Sequence, residues 1–170
     1  MERTLRELRG VRVLARDGPA GVLKDLYFDD DDWAVRELRL DAGAWLPGRL
    51  VLIPVASVQR VDPTVRAIIL NLSRDQVSPC AGIDDLDARS AVGLLGYRLE
   101  ATDGPIGRID DLMVNDAGWS LTSLVVDTRD LLPGTAVRIA PAAVAAIDFV
   151  GRTVRLRMTR DQVRRAPRAK

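Results

Sequence analysis

The sequence predicts an all-β chain: two tandem small antiparallel β-barrels, related by an internal repeat, each ending in a short helix. The repeat is the first observation, because residues 17–77 align without a gap on residues 103–163, and 24 of the 61 aligned pairs are identical. The second is that each copy holds five or six short apolar stretches at intervals of about 8–12 residues, separated by turn clusters, as in small barrels and sandwiches. A barrel is favoured because closure removes exposed sheet edges.

The repeat also predicts the domain organisation. We expect a first domain at residues 1–78, a linker at residues 79–91 and a second domain, with a basic tail, at residues 92–170. Domains this small bury only about 60–70% of the surface of their unfolded chains, so each should gain stability by docking against the other. We therefore expect a pseudo-symmetric pair, and we also consider a homodimer of the whole chain.

Composition excludes several classes of function. The 25 basic and 24 acidic residues nearly balance, so charge alone does not indicate a nucleic-acid-binding protein. No apolar run approaches the ~20 residues that span a bilayer and no signal peptide is recognisable, so a cytoplasmic location is expected. The only cysteine, Cys80, has no intrachain disulfide partner, and there is no histidine. Because this removes histidine-dependent catalysis and histidine zinc sites, we expect no catalytic residue, cofactor or metal ion.

The elements of the first copy follow from apolar alternation and from turn residues. A helical lead-in at Arg3–Gly10 ends at a glycine, and the DGPAG segment at residues 17–21 should close a hairpin. In the strand after the next turn, Leu38 and Leu40 share one face. The predicted strands are Val11–Arg16, Gly21–Asp29, Ala34–Asp41, Leu50–Val55, Val58–Asp62 and Arg66–Leu72.

The second copy repeats this plan. The turn Asp29–Asp32 becomes Asn115–Gly118, and Asn, Asp and Gly are the residues that tolerate the positive φ angles of a tight hairpin. Both copies end at a helix start with capping-box spacing, at Ser73–Gln76 and Thr159–Gln162. The predicted strands are Gly107–Asn115, Ser120–Asp127, Ala136–Ala140, Val144–Asp148 and Arg152–Met158.

These residues resemble the PRC-barrel family. The likeness covers about 145 of the 170 residues, and its motifs specify a fold rather than an activity. It includes the acidic hairpin and the Ser/Thr-Arg-Asp-Gln-Val exit of each copy. Its other parts are the GxxxD segments Gly21–Asp25 and Gly107–Asp111, the strands that end at Asp41 and Asp127, and the loops with Pro47-Gly48 and Pro133-Gly134.

The resemblance implies an adaptor-like, non-enzymatic role. The family includes the cytoplasmic domain of the photosynthetic reaction-centre H subunit and the C-terminal domain of a ribosome-maturation factor. We expect neither the transmembrane helix of the first nor the separate N-terminal domain of the second, so neither function carries over. The expected function is a protein-interaction or scaffold module whose protein partner is unknown. The alternatives are an RNA- or ribosome-associated factor and a peripheral partner of a membrane or photosynthetic complex.

The acidic run Asp29–Asp32 is a candidate site for Ca²⁺ or Mg²⁺, because hard cations bind clustered carboxylates. Consecutive residues of a turn point in different directions, however, and the run lacks the glycine and glutamate of an EF-hand loop. A solvated hairpin tip is therefore favoured.

Two pairs of aspartates recur at matching positions, Asp25 with Asp111 and Asp41 with Asp127. Paired carboxylates can perform acid–base chemistry, but no histidine or nucleophile accompanies them. A structural role is favoured: accepting backbone N–H groups at hairpins, or pairing with arginines such as Arg36 or Arg108.

Two apolar loop pairs are candidate interaction residues. Trp45-Leu46 and Leu131-Leu132 each precede Pro-Gly in a stretch that should otherwise be polar, and Trp is enriched at binding hot spots. The favoured alternative is that each pair caps the open end of its own barrel.

Several outward-facing positions change polarity between the copies and are candidate interface residues. The fold does not require such surfaces to differ. We therefore expect the patch around Leu52 and Ile69, and the patch around Leu121 and Val125, to lie in interfaces between the barrels or between subunits. The exchanged pairs are Leu52/Arg138, Ile69/Arg155, Arg39/Val125 and Glu37/Ser123.

The basic tail is a candidate anion-binding segment. Its arginines could contact RNA phosphates or an anionic membrane surface. It has no aromatic residue for base stacking, which favours a frayed, solubilising terminus instead. The candidate residues are Arg160, Arg164, Arg165 and Arg168.

Overall fold

The computed structural model describes residues 1–43, 50–77 and 89–169, which form two seven-stranded sheets and four short helices. Trp45, Leu46 and Cys80 lie outside the described residues. In the first half the elements are β1 (Glu2–Thr4), α1 (Leu5–Leu8), β2 (Arg12–Ala15), β3 (Gly18–Phe28), β4 (Val35–Asp41), β5 (Leu50–Pro54), β6 (Val58–Asp62), β7 (Ala67–Leu70) and α2 (Arg74–Val77).

The second half has the same succession of elements. They are β8 (Arg89–Ser90), α3 (Ala91–Leu94), β9 (Arg98–Ala101), β10 (Gly104–Asn115), β11 (Ser120–Asp127), β12 (Ala136–Ile139), β13 (Val144–Asp148), β14 (Thr153–Leu156) and α4 (Arg160–Arg164). Each predicted strand is present. β3 begins three residues before its predicted start, because Ala15 pairs with Gly18 and leaves only a two-residue loop.

Both sheets have the same strand order, β5-β4-β3-β2-β7-β6 in the first and β12-β11-β10-β9-β14-β13 in the second. The prediction of wholly antiparallel sheets is wrong at one pairing in each, because β7 runs parallel to β2 and β14 runs parallel to β9. The cause is a corner after β5 and after β12. A 3-10 helix there, Val55–Ser57 or Pro141–Ala143, passes the chain to the next strand without the reversal of a hairpin.

The prediction of closed barrels is also wrong for the described residues. The two ends of each strand path, β5 with β6 and β12 with β13, are not hydrogen-bonded to each other. In the second half the chain terminus occupies the free edge of β12 instead. Arg138 N donates to Pro167 O at 2.8 Å and Ala169 N donates to Ala136 O at 2.9 Å. The expectation of a frayed terminus is therefore wrong for residues 166–169.

The two halves exchange their first segments. The strand β1, at the start of the first half, pairs with β10 of the second half. The strand β8, at the start of the second half, pairs with β3 of the first. The helices follow, because α1 packs on β10 and α3 packs on β3. The boundary expected at residue 92 therefore cuts through a segment that completes the other sheet.

The halves also meet at a second junction, beside the acidic turn. Ala34 bridges Ser120, its counterpart at the offset of 86. Val35 N donates to Trp119 O at 2.8 Å, and Leu121 N donates to Trp33 O at 2.9 Å. This reciprocal pattern places a pseudo-twofold axis between the two bridged residues.

Positive φ angles at this junction fall on tryptophan rather than on the Asn, Asp and Gly that were predicted to adopt them. Trp33 has φ of 60° and Trp119 has φ of 52°. A left-handed non-glycine residue costs on the order of 1–3 kcal/mol. Burial offsets this cost, since Trp33 is 9% exposed and stacks on Phe28 with ring centroids 5.3 Å apart. The conformation directs each tryptophan carbonyl to the other half.

One apolar core runs through both halves. Its members include Leu5 and Leu8 of α1, which are 0% and 1% exposed, and Ala91 and Leu94 of α3. Burying one leucine contributes about 1.5–3 kcal/mol. The exchanged helices therefore stabilise the sheets on which they lie. No helix among the described residues is long and apolar enough to cross a bilayer.

Candidate functional site

The recurring aspartates Asp25 and Asp111 hold the exchanged helices. Asp25 is 5% exposed, and its carboxylate accepts hydrogen bonds from Val92 N at 3.0 Å, from Leu26 N at 2.7 Å and from the Ser90 hydroxyl. Asp25 thus caps the start of α3, which belongs to the other half.

Asp111 has the corresponding role toward α1. It is 4% exposed and accepts from Arg6 N at 3.3 Å and from Leu112 N at 2.8 Å. The structural role predicted for this pair is observed, but the donors lie on the exchanged helices and the adjacent strand rather than at hairpins. One oxygen of each carboxylate, Oδ1, accepts from two backbone N–H groups of the fold.

The glycine of each GxxxD segment permits a close approach of backbones. A Cβ atom added to Gly21 would lie 2.1 Å from the carbonyl oxygen of Asp41, and one added to Gly107 would lie 1.8 Å from that of Asp127. Both distances are far below van der Waals contact. The segment therefore combines two structural requirements, a position without a side chain and a capping carboxylate four residues later.

Asp41 and Asp127 act locally at the ends of their strands. Asp41 Oδ1 accepts from Gly43 N at 3.0 Å. Asp127 forms a 2.8 Å ion pair with Arg129, whose pKa is raised by this hydrogen bond and charge. These contacts are local to each strand end. They do not bring the two carboxylates together.

Two carboxylates of the acidic turn, those of Asp29 and Asp32, make contacts within the turn or with Arg36 of β4. Asp29 Oδ1 accepts from Asp31 N at 2.9 Å, and Asp32 forms a 2.6 Å ion pair with Arg36. The Ala34 N–H bond and the Arg36 guanidinium lower the pKa of Asp32. In the part of the chain that the structure describes, no group of three or more Cys, Asp or Glu side chains is placed to hold a metal ion.

Of the apolar loop pairs, only Leu131-Leu132 is described. Both residues are half-buried, and Leu131 packs against the core. The loop is built around Thr128, which is fully buried and which sequence reasoning missed. Its hydroxyl lies 3.0 Å from Leu132 O and 2.7 Å from Thr135 O. These contacts fix the backbone of the loop that carries Leu131 and Leu132.

Three of the four candidate interface residues are buried within the chain itself. Leu52, Leu121 and Val125 are 6%, 3% and 8% exposed, whereas Ile69 is half-buried. Leu121 lies at the junction of the two halves, where its N–H donates to Trp33. The structure therefore places Leu121 between the halves.

The arginines of the tail do not form one cluster. Arg160 donates from its backbone to Asp103 Oδ1 at 2.8 Å and from its side chain to Asp130 O at 3.0 Å. Arg164 pairs with Asp161 at 2.6 Å, and Arg168 bridges Val137 on the edge of β12. Their use as an anion-contact set stays a prediction, as does that of exposed Arg165.

A cavity of about 350 Å³ was not anticipated from the sequence. It lies between α1 and the β6–β7 hairpin of the first half. Arg3 and Glu7 line it from the exchanged segment, and Asp62, Pro63 and Arg66 line it from the hairpin. No sequence pattern marks it, because its walls come from segments fifty or more residues apart.

Comparison with known proteins gives one family. The family model of the PRC-barrel domain matches residues 1–77. No curated protein matches the chain.

Proposed function

We propose that this chain, whose residues 1–77 match the family model of the PRC-barrel domain, is a non-enzymatic protein-interaction or scaffold module. We further propose that the second half is a duplicate of that domain. Its identical strand order and its 24 identities at a fixed offset support this. The cytoplasm is the proposed location.

The observation that carries the proposal is that the polar residues common to both halves serve the fold. Asp25 and Asp111 cap the exchanged helices. The next pair, Asp17 and Asp103, accepts from the backbone N–H groups of Arg74 and Arg160 at 2.9 and 2.8 Å. A residue occupied in this way does not supply a free acid, base or nucleophile. We therefore expect residues that differ between the halves to carry recognition of a partner.

The test is capture of a partner from the native host. The tagged full-length chain is used as bait, with and without nuclease, beside a Trp45→Ala/Leu131→Ala double variant. A protein that survives nuclease and is lost with the variant supports the proposal and assigns recognition to the two loops. Unchanged capture by the variant excludes these loops.

Two other outcomes would replace the proposal. Ribosomal material that disappears with nuclease would favour an RNA-associated factor, and binding should then fall steeply with salt. Co-sedimentation with anionic vesicles would favour a peripheral partner of a membrane complex. In either case Arg164 and Arg165 become the candidate binding residues. The variant that tests them is Arg164→Gln/Arg165→Gln.

A further inference from the structure

The cavity beside α1 has a counterpart in the second half that is filled. At the offset of 86, Val11 and Pro63 of the cavity region correspond to Tyr97 and Phe149. The two rings pack edge to face, with centroids 6.4 Å apart and an interplanar angle of 67°. The Tyr97 hydroxyl donates to Phe149 O at 3.3 Å. The second half thus supplies its own aromatic occupant.

Two arginines cover these rings. The Arg89 guanidinium carbon lies 4.0 Å from the centroid of Phe149, and that of Arg152 lies 5.5 Å from the centroid of Tyr97. Both distances are within the range of cation–π attraction. The corresponding residues of the first half are Arg3 and Arg66, and both line the cavity. The first half therefore keeps the two cations but has Val and Pro where the second half has rings.

One of the two arginine side chains that line the cavity is fixed before any ring is bound. The Arg3 side chain is fixed by an ion pair with Asp116 of the second half. Arg66 is held in a left-handed conformation, with φ of 50°, by the hairpin turn. The side chain of Arg3, which its ion pair fixes, loses little conformational entropy when a ring is bound beside it. The backbone φ of Arg66 does not fix its exposed side chain.

We propose that this cavity binds an aromatic side chain of a partner protein, with tyrosine preferred over phenylalanine. The inference rests on the proposed function for the source of the ring. The preference comes from Glu7, which lines the cavity where the second half has Gly93. Glu7 Oε2 accepts from Thr4 N at 2.8 Å, and a carboxylate can accept further hydrogen bonds, such as one from a phenol.

The first experiment uses small probes on the isotopically labelled full-length chain. N-acetyl-tyrosinamide and p-cresol are titrated while backbone amide shifts are followed by NMR, with 4-methylcyclohexanol as the saturated control. We expect saturable shifts at residues 3–11 and 61–67 but not at residues 147–153. The saturated control should bind about three- to tenfold more weakly if the cations contribute as cation–π contacts usually do. Absence of saturable shifts at these residues would overturn the proposal.

The first test variant copies two residues of the second half into the first half. Val11→Tyr/Pro63→Phe installs the residues that fill the counterpart and should abolish probe binding. Arg66→Asn removes one cation while keeping a residue that tolerates positive φ, and it should weaken p-cresol more than the saturated control. If the double variant does not fold, Arg66→Asn alone tests the proposal. Equal binding by wild type and Arg66→Asn would contradict the cation–π basis.

The same double variant separates this inference from the proposed function. Loss of a captured protein partner by Val11→Tyr/Pro63→Phe supports a ring from that partner. Probe binding together with unchanged partner capture would show that the ring does not come from that partner, and would overturn the inference while leaving the adaptor proposal intact. Probe binding without any protein partner would overturn both the adaptor proposal and the assigned source of the ring, and would leave only an aromatic-binding cavity.

Discussion

At the scale of single residues, the positions shared by the two halves have physical explanations that do not involve a reaction. Gly21 admits the backbone at Asp41, and Asp25 caps the helix of the other half. The sequence predicted a structural role for the aspartates because no catalytic companion was present. It could not identify the donors on the exchanged helices, which lie more than sixty residues away in the chain.

Loss of a capping carboxylate should destabilise the whole chain. Asp25→Asn and Asp111→Asn each remove charged hydrogen bonds to buried backbone groups, so we expect each to lower the free energy of unfolding by about 1–3 kcal/mol. Urea denaturation measures this. The control is Asp110→Asn, adjacent to Asp111 in the chain but exposed, which should change the free energy by less than about 0.5 kcal/mol. Equal effects of all three variants would contradict the capping role.

The glycine position should not accept a side chain. Gly21→Ala forces a Cβ onto the Asp41 carbonyl, and we expect a loss of about 2–4 kcal/mol or failure to fold. Gly118→Ala is the control, because a Cβ atom there meets nothing within 4 Å; it should be neutral or slightly stabilising. The measurement is the thermal midpoint of each variant, and a tolerated Gly21→Ala would show that β3 and β4 can separate at this point.

At the scale of elements, the strands were predictable and their partners were not. Alternating apolar residues and turn clusters indicate where strands run, as in Val35–Asp41. The three-residue β1 carries too little pattern to specify that it pairs with β10. The parallel pairing of β7 with β2 follows from the 3-10 corner after β5. That corner leaves no distinctive sequence signal.

The pairing of β1 should weaken in acid. Hydrogen bonds from Thr122 and Arg138 lower the pKa of Glu2 below its ordinary value of 4.5. A lowered folded-state pKa means that the stabilisation is complete above pH ~4.5 and is lost as pH falls through the folded value. Backbone amide shifts of Arg3 and Thr4, followed by NMR from pH 6 to pH 2.5, should report this transition. Glu2→Gln should remove it, and an unchanged transition in that variant would assign it to another group.

At the scale of the whole molecule, the exchange of first segments makes the two halves depend on each other. Each sheet includes a strand from the other half, the Trp33 and Trp119 carbonyls bridge the junction, and one core spans both. The repeat predicted a pseudo-symmetric pair, and the size of each half predicted mutual support. The exchange itself needed the structure, because tandem and exchanged arrangements have the same sequence pattern.

Differences between the halves then become the informative part of the molecule. Where Tyr97 and Phe149 fill the second half, Val11 and Pro63 line a cavity in the first. The sequence marks polarity changes on the strands but not this change in volume, because Val11 and Pro63 lie in separate loops.

Differential scanning calorimetry of the full chain tests whether the exchange of first segments joins the halves into one cooperative unit. We expect a single transition whose calorimetric enthalpy equals its van't Hoff enthalpy, as for a two-state domain. We also expect Asp25→Asn to move this one transition to lower temperature without splitting it. Two separable transitions in the wild-type chain, with only one displaced by Asp25→Asn, would contradict this expectation.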